Sequence, residues 1–188
     1  MKRQLLPIAI FFLCALSPLH AEEQTSVFRI IGLSAPERSA DLEKAMKSVT
    51  DVQLEKLDFA KGEATFRFDM DKLFPENKGK PAPPADKIIA RLNERVLNAS
   101  NHSFNVTAPS ALPADQQTKL EIKVGLLDCK ACRYAAYSVI AKIEGVERAN
   151  VVSQTSTATI NLWIDATKTN LDALTAALKI ANVPFPEK

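Results

Sequence analysis

The chain of 188 residues carries 24 basic and 22 acidic side chains. A charge so close to balance argues against nucleic acid or an anionic membrane surface as the main partner. The length suits one medium domain or two small ones.

The first 21 residues have the pattern of a removable secretory signal. Lys2–Arg3 is a basic start, Leu5–Leu16 is an apolar run too short to span a bilayer, and Ser17–Ala21 ends in a small residue. We therefore expect cleavage after Ala21, giving a secreted, periplasmic protein without a membrane segment once the signal is removed.

The positions of the cysteines are consistent with a cleaved secretory signal. A lipid anchor at Cys14 is the alternative to cleavage, but Leu13 precedes it where a small residue is expected. Removing the signal leaves 22 basic and 22 acidic residues and two cysteines, Cys129 and Cys132. Secretion would place both thiols where a disulfide can form and persist.

The first half, predicted as a domain over residues 25–108, has the order strand–helix–strand–strand–helix–strand. Its hydrophobic periods and turn residues define the elements. They are a strand at Phe28 and Ile30, a helix started by a capping box at 34–37, two strands turning at 60–62, a helix through 88–96 and a closing strand within 103–107.

Residues 109–118, rich in proline and in small and polar residues, are predicted to be an inter-domain linker. The second domain, predicted over 119–188, repeats the same order of elements. They are a strand at 119–124, a helix at 132–144, a strand at 151–152, a strand at 158–164, a helix capped by 169–172 and a short final strand at 183–185.

This order is that of the ferredoxin-like split βαβ arrangement. The sequence therefore predicts the α+β class, with two tandem ferredoxin-like (βαββαβ) domains after a cleaved signal peptide. Each antiparallel sheet would be covered by two helices on one face. Each core would be small, so tandem packing of the two domains or a tight linker would help to stabilise both.

The chemistry of the chain is concentrated at Gly125–Cys132, between the first strand and first helix of the second domain. Cys129 and Cys132 are three residues apart at a helix start, so both sulfurs can turn toward one point. Unpaired backbone amides and the positive end of the helix dipole favour thiolate over thiol. Such a pair favours either a soft metal ion or a disulfide.

Gly125–Cys132, with the turn at Ile143–Val146, resembles the heavy-metal-associated domain. That family includes copper chaperones and the amino-terminal modules of metal-pumping ATPases. The resemblance covers about residues 119–186. It implies the ferredoxin-like fold, metal sequestration or transfer, and a metal-donor or metal-acceptor protein as partner.

The resemblance also implies roles for individual residues. Cys129 and Cys132 take the places of the metal-binding thiolates, and Asp128 stands where some members have a candidate third ligand. Leu127 takes the place of a methionine that packs beneath the loop. Phe185 falls near the family's aromatic residue beside the site.

The donor atoms of this motif favour some metal ions over others. Two thiolates suit Cu(I) or Hg(II) in near-linear geometry, whereas Zn(II) needs about four ligands. Asp128 with water could help to complete such a set, but no third cysteine or suitable histidine lies in the motif. Cu(I) is the expected ion, with Zn(II), Cd(II) or Hg(II) as alternatives.

Two other functions remain open: a non-catalytic interaction module with an inert disulfide, and a thiol–disulfide redox partner. No nucleophile–base pair, phosphate loop or carboxylate dyad has suitable spacing, so we do not expect an enzyme.

The corresponding loop of the first domain, Gly32–Ser39, contains no sulfur. That domain is interpreted as a degenerate copy, or an independent use of the fold, acting as a spacer or docking surface.

Overall fold

The computed structural model describes residues 23–78 and 80–186. The predicted signal peptide, with Cys14, lies outside the described residues, so its cleavage stays a prediction. Within the described part of the chain, the secondary structure forms two α+β units, each with its own sheet and its own buried core.

The first unit has a four-stranded antiparallel sheet in the order β2-β3-β1-β4, which is the ferredoxin-like order. Its elements are β1 (Glu23–Ile31), α1 (Arg38–Met46), β2 (Val52–Asp58), β3 (Glu63–Asp69), α2 (Met70–Leu73), α3 (Ala85–Ala99) and β4 (Asn105–Thr107). A short 3-10 helix, Pro75–Asn77, follows α2.

The core of the first unit lies between this sheet and its helices. Alternate residues of β3 are buried, and Phe66 at the centre of the strand is fully buried. Leu42 of α1 and Leu92 of α3 are also fully buried in the same cluster. The strand period of two and the helical period of about 3.6 thus direct one apolar face of each element inward.

The structure corrects the predicted capping box at 34–37. Helix α1 begins only at Arg38, and its N-cap residue Glu37 makes no side-chain capping hydrogen bond. Ser34 is instead buried, and its carbonyl accepts a hydrogen bond from Val151 of the second unit at 2.8 Å. The predicted capping serine therefore lies in a contact between the two units and not at the N-cap of α1.

The second unit has a three-stranded antiparallel sheet in the order β5-β7-β6. Its elements are β5 (Thr118–Val124), α4 (Lys130–Ile140), β6 (Val146–Ser153), β7 (Ala158–Ile164) and α5 (Leu171–Ile180). Residues 108–117 lie between the two sheets in no helix or strand. The predicted linker overlaps this segment, but its last residue, Thr118, belongs to β5.

The core of the second unit lies between β7 and the two helices. The buried residues of β7 alternate, as the sequence predicted: Ala158, Ile160, Leu162 and Ile164. Ile140 of α4 and Leu174 and Leu178 of α5 are fully buried against them. Asn170 caps α5 by accepting a hydrogen bond from the Ala173 amide, which places the cap within the predicted 169–172.

One predicted element of this unit is absent, and another ends earlier than predicted. Residues 183–185 form no strand, and Gly125 N donating to Pro184 O at 2.6 Å is the backbone hydrogen bond that ties them to the end of β5. Helix α4 ends at Ile140 rather than at 144, because Ile143 N turns to the Ile140 carbonyl in a tighter bond. The α+β class and the ferredoxin-like arrangement are nevertheless confirmed.

Among the described residues, no helix is both long enough and apolar enough to cross a bilayer.

Candidate metal centre

The loop between β5 and α4 is held at its start and in its middle. At its start, Gly125 donates its amide hydrogen bond to Pro184. In its middle, the Leu127 side chain is 4% exposed and belongs to the core of the second unit. Leu127 therefore packs beneath the loop, as the family resemblance implied, while Asp128 and Cys129 are exposed.

Cys129 is the N-cap residue of α4. It has extended backbone angles, and its Sγ accepts a hydrogen bond from the Cys132 amide at 3.0 Å. An N-cap side chain normally satisfies one of the orphan amides of the first turn through oxygen. Here sulfur fills that role, so the cap orients Sγ of Cys129 toward the first turn that carries Cys132.

The structure brings together the three predicted site residues. One ligand atom from each of Asp128, Cys129 and Cys132 lies within 4.8 Å of the other two, and Cys132 Sγ is 3.9 Å from Asp128 Oδ1. The Cα atoms of the two cysteines are 5.2 Å apart and their sulfurs are joined as a disulfide. Reduction would present two thiols and one carboxylate on a solvent-facing loop.

A groove of about 200 Å³ runs beside the half-buried Cys132. It lies between α4 and the chain that follows α5, and most of its walls are apolar: Leu127, Ala136, Val139, Val183 and Pro184. Phe185 is half-buried against the core of the second unit, with Lys179 Nζ 5.7 Å from its ring centroid. Its predicted place beside the metal site stays a prediction.

The Arg133 guanidinium binds the backbone of the loop. Its Nη1 donates to the carbonyls of Leu127 and Asp128 at 3.3 and 3.2 Å. Ser153 of β6 also donates its hydroxyl to the Leu127 carbonyl, at 3.1 Å. The donors of Arg133 are thus directed to the loop carbonyls rather than to the two sulfurs.

The corresponding loop of the first unit contacts the second unit close to this site. The Gly32 amide donates to the buried Tyr137 hydroxyl of α4 at 2.9 Å. Glu37 Oε1 lies 3.7 Å from Arg133 Nη2. With the backbone bond from Val151 to Ser34, these contacts dock the β1–α1 loop onto α4 and β6.

Gly32 is required at that contact. Its φ is +119°, a conformation that L side chains rarely adopt, and a Cβ atom there would collide with the backbone carbonyl of Ser103 and the Phe104 ring. The close approach that lets its amide reach Tyr137 is thus available only to glycine.

Arg29 of β1 fixes the other end of α4. Its Nη2 donates to the carbonyls of Val146 and Ala141 at 2.6 and 3.3 Å. Ala141 is the C-cap residue of α4, where exposed carbonyls and the helix dipole favour a cation. The helix whose N-cap is Cys129 therefore has the carbonyl of its C-cap residue bound by an arginine of the first unit.

Burial shifts the pKa of both interface groups. Desolvation lowers the pKa of Arg29, an effect that Glu147 partly opposes. Desolvation also raises the pKa of Tyr137, against the opposing effects of the Gly32 hydrogen bond and of Arg29. The neutral phenol is therefore the form that the interface stabilises.

Comparison with known families identifies the second unit. Residues 121–182 match the family described as the Heavy-metal-associated domain. The second unit is a heavy-metal-associated domain. This confirms the predicted resemblance, and such a domain implies heavy-metal binding or transfer. No curated protein matches the chain.

Two solved structures match most of the chain at low identity. One is the water-soluble region of the P-type ATPase CopA from Bacillus subtilis, at 15% identity and a TM-score of 0.30, covering 88% of this chain and 91% of that one. The other is a solution structure of the N-terminal soluble domains of Bacillus subtilis CopA, at 18% identity and a TM-score of 0.30, covering 88% and 94%. A TM-score this low places no constraint on this chain.

Sequence reasoning missed the residues that connect the heavy-metal-associated domain to the first unit. One of them is Tyr137 of α4, which is 3% exposed. Arg29 and Ser153 are polar residues in ordinary strand patterns, and Glu37 was predicted only as part of the capping box at 34–37. The helical spacing of Tyr137 with the buried Ile140 is the signal that could have placed it inward.

Proposed function

We propose that this protein binds Cu(I), or a similar thiophilic ion, through Cys129 and Cys132 and either sequesters it or passes it to another protein. The observation that carries the proposal is the cluster of Asp128, Cys129 and Cys132 within 4.8 Å at the exposed start of α4, inside a heavy-metal-associated domain. The metal ion is cargo rather than a resident cofactor.

The donor set favours Cu(I). Two thiolates satisfy the low coordination number of Cu(I) or Hg(II), whereas Zn(II) or Cd(II) would require Asp128 and water as well. Asp128 and Cys129 are exposed, so thiolates of a donor or acceptor protein can approach an incompletely coordinated ion. We propose such a protein as the partner, and the secreted, periplasmic space as the location.

The experiment is a Cu(I) titration of the reduced protein against a competing chelator. One tight equivalent is expected in the wild type, and it should be lost in Cys129→Ser and in Cys132→Ser. Thr157→Ser, which changes a half-buried turn residue, is the control and should keep the equivalent. Failure of the folded, reduced wild type to take up Cu(I) would overturn the proposal.

The disulfide favours a second candidate, a thiol–disulfide redox partner without catalytic activity of its own. The same pair could exchange with the thiols of another protein, because its sulfurs lie on an exposed loop. The equilibrium with a glutathione buffer separates the two functions. A pair that is readily oxidised and reduced but binds no Cu(I) after reduction would favour the redox function.

A further inference from the structure

We propose that Arg133 positions the loop that carries Cys129, and that the first unit holds Arg133 in place through Glu37. This inference rests on the proposed function, because it concerns how firmly the two sulfurs are presented to a metal ion. It gives the first unit a role although its own β1–α1 loop has no sulfur.

The first step is that Arg133 hydrogen-bonds to the backbone of the loop. The two carbonyls that its Nη1 reaches belong to Leu127 and Asp128, the residues immediately before Cys129. The Arg133 side chain is only 16% exposed, and a planar guanidinium offers several donors in fixed directions. It therefore restrains the backbone that leads into the N-cap of α4.

The second step is that the loop carbonyl is bound from both sides. Ser153 of β6 donates to the Leu127 carbonyl, and its Oγ is also 3.5 Å from Arg133 Nη1. Helix α4 and strand β6 thus meet at one peptide group beneath the candidate site. Releasing Arg133 would leave the Leu127 carbonyl with the Ser153 hydroxyl alone and would remove the side-chain donor of the Asp128 carbonyl.

The third step links this cluster to the first unit. Arg133 Nη2 faces Glu37 Oε1 at 3.7 Å. Glu37 is half-exposed, and such a pair alone would contribute little. Its backbone, however, is anchored three residues earlier by the Ser34 carbonyl on Val151 and five residues earlier by Gly32 on Tyr137. The carboxylate is therefore held in place by the docked loop as well as by its own charge.

Positioning and simple charge effects predict opposite results. If Arg133 acted only as a positive charge near the thiolates, removing the negative charge of Glu37 would raise the local potential and strengthen Cu(I) binding. If Glu37 holds Arg133 in place, removing it loosens the loop and weakens binding. The sign of the change in Glu37→Gln therefore separates the two explanations.

The experiment compares Glu37→Gln, Arg133→Gln, Arg133→Lys and the double variant Glu37→Gln/Arg133→Gln in the full protein. Glu43→Gln, an exposed residue of α1, is the charge-matched control. The readouts are Cu(I) affinity by chelator competition and amide hydrogen exchange at residues 127–130. The exchange measurement is made on the reduced protein without metal.

Glu37→Gln should weaken Cu(I) binding about two- to fivefold, and Arg133→Gln about tenfold. Arg133→Lys should resemble Arg133→Gln, since lysine keeps the charge but not the fixed donors. The amides of residues 127–130 should exchange faster in the three single variants than in the wild type. The double variant should weaken binding no more than Arg133→Gln alone, because both act through one contact.

Tighter binding in Glu37→Gln, or loop exchange unchanged from Glu43→Gln, would overturn the inference. If the wild type binds no Cu(I), the proposed function fails, and loop exchange still decides whether Arg133 and Glu37 position the loop. If Arg133→Gln does not fold, Glu37→Gln and Arg133→Lys carry the test.

Discussion

The hydroxyl of Tyr137 in α4 accepts a hydrogen bond from the amide of Gly32 in the first unit, at 2.9 Å and out of contact with solvent. This bond joins the sulfur-free loop of one unit to the helix whose N-cap is Cys129 in the other. The two units therefore share a polar contact at the helix that presents the candidate metal site.

Tyr137→Phe should destabilise the protein by about 1–3 kcal/mol, because it leaves the buried Gly32 amide without an acceptor. The measurement is denaturant unfolding. Tyr134→Phe is the matched control. The half-buried Tyr134 donates to the Ser103 carbonyl at 3.2 Å, and its loss should cost about 1 kcal/mol. Equal losses in the two variants would contradict this assignment.

Stability should fall at alkaline pH through the same residue. Burial raises the pKa of Tyr137 in the folded protein above its unfolded value of about 10. The stabilisation of the neutral phenol is therefore complete below about pH 10 and is lost as the pH rises toward the folded pKa. Unfolding free energy measured from about pH 9 to 11 should fall more steeply in the wild type than in Tyr137→Phe. Parallel slopes would argue against a raised pKa.

Arg29→Met should destabilise the protein by about 2–3 kcal/mol, since it removes a charged donor from the carbonyls of Val146 and Ala141. Arg91→Met is a suitable control. Arg91 forms a more exposed ion pair with Glu76 at 2.8 Å, whose loss should cost less than about 1 kcal/mol. Thermal and denaturant unfolding both measure the loss of stability in each variant. A smaller loss in Arg29→Met than in Arg91→Met would refute the prediction.

The capping role of Cys129 can be separated from its role as a ligand. In the reduced protein, Cys129→Ser keeps an acceptor for the Cys132 amide, whereas Cys129→Ala removes it. Both variants should lose Cu(I), but only the alanine variant should lose about 1 kcal/mol of stability. Unfolding under reducing conditions measures the difference, and identical stabilities would show that sulfur does not act as a cap.

Asp128→Asn tests the candidate third ligand. Cu(I) affinity should change less than about threefold, because two thiolates already satisfy that ion. Zn(II) affinity should fall at least about tenfold, because the site then loses one of few available donors. Parallel titrations with both ions give the ratio. A large loss of Cu(I) affinity would mean that the carboxylate takes part in Cu(I) binding.

The sequence predicted those parts of the fold that depend on local period. The alternation of Ala158 to Ile164 located β7, and the cap at Asn170 located α5. Each of these signals is contained in a segment of a few consecutive residues. The candidate site was predictable for the same reason, since Asp128, Cys129 and Cys132 are close in sequence.

Contacts between the units could not be predicted in this way. Arg29 lies more than a hundred residues from Val146 along the chain, and a lone arginine in a strand gives no sign of its partner. Ser34 has the sequence of a helix cap but serves a long-range backbone bond instead. The partners of these residues are set by contacts between distant parts of the chain. The hydrophobic period of a single segment does not reveal such contacts.

The most direct test of the account is X-ray absorption spectroscopy of the reduced protein loaded with one equivalent of Cu(I). The account predicts that copper is bound by two sulfur atoms, from Cys129 and Cys132, and that this signal disappears in either serine variant. Copper surrounded by nitrogen or oxygen alone, or a signal unchanged in the serine variants, would contradict it.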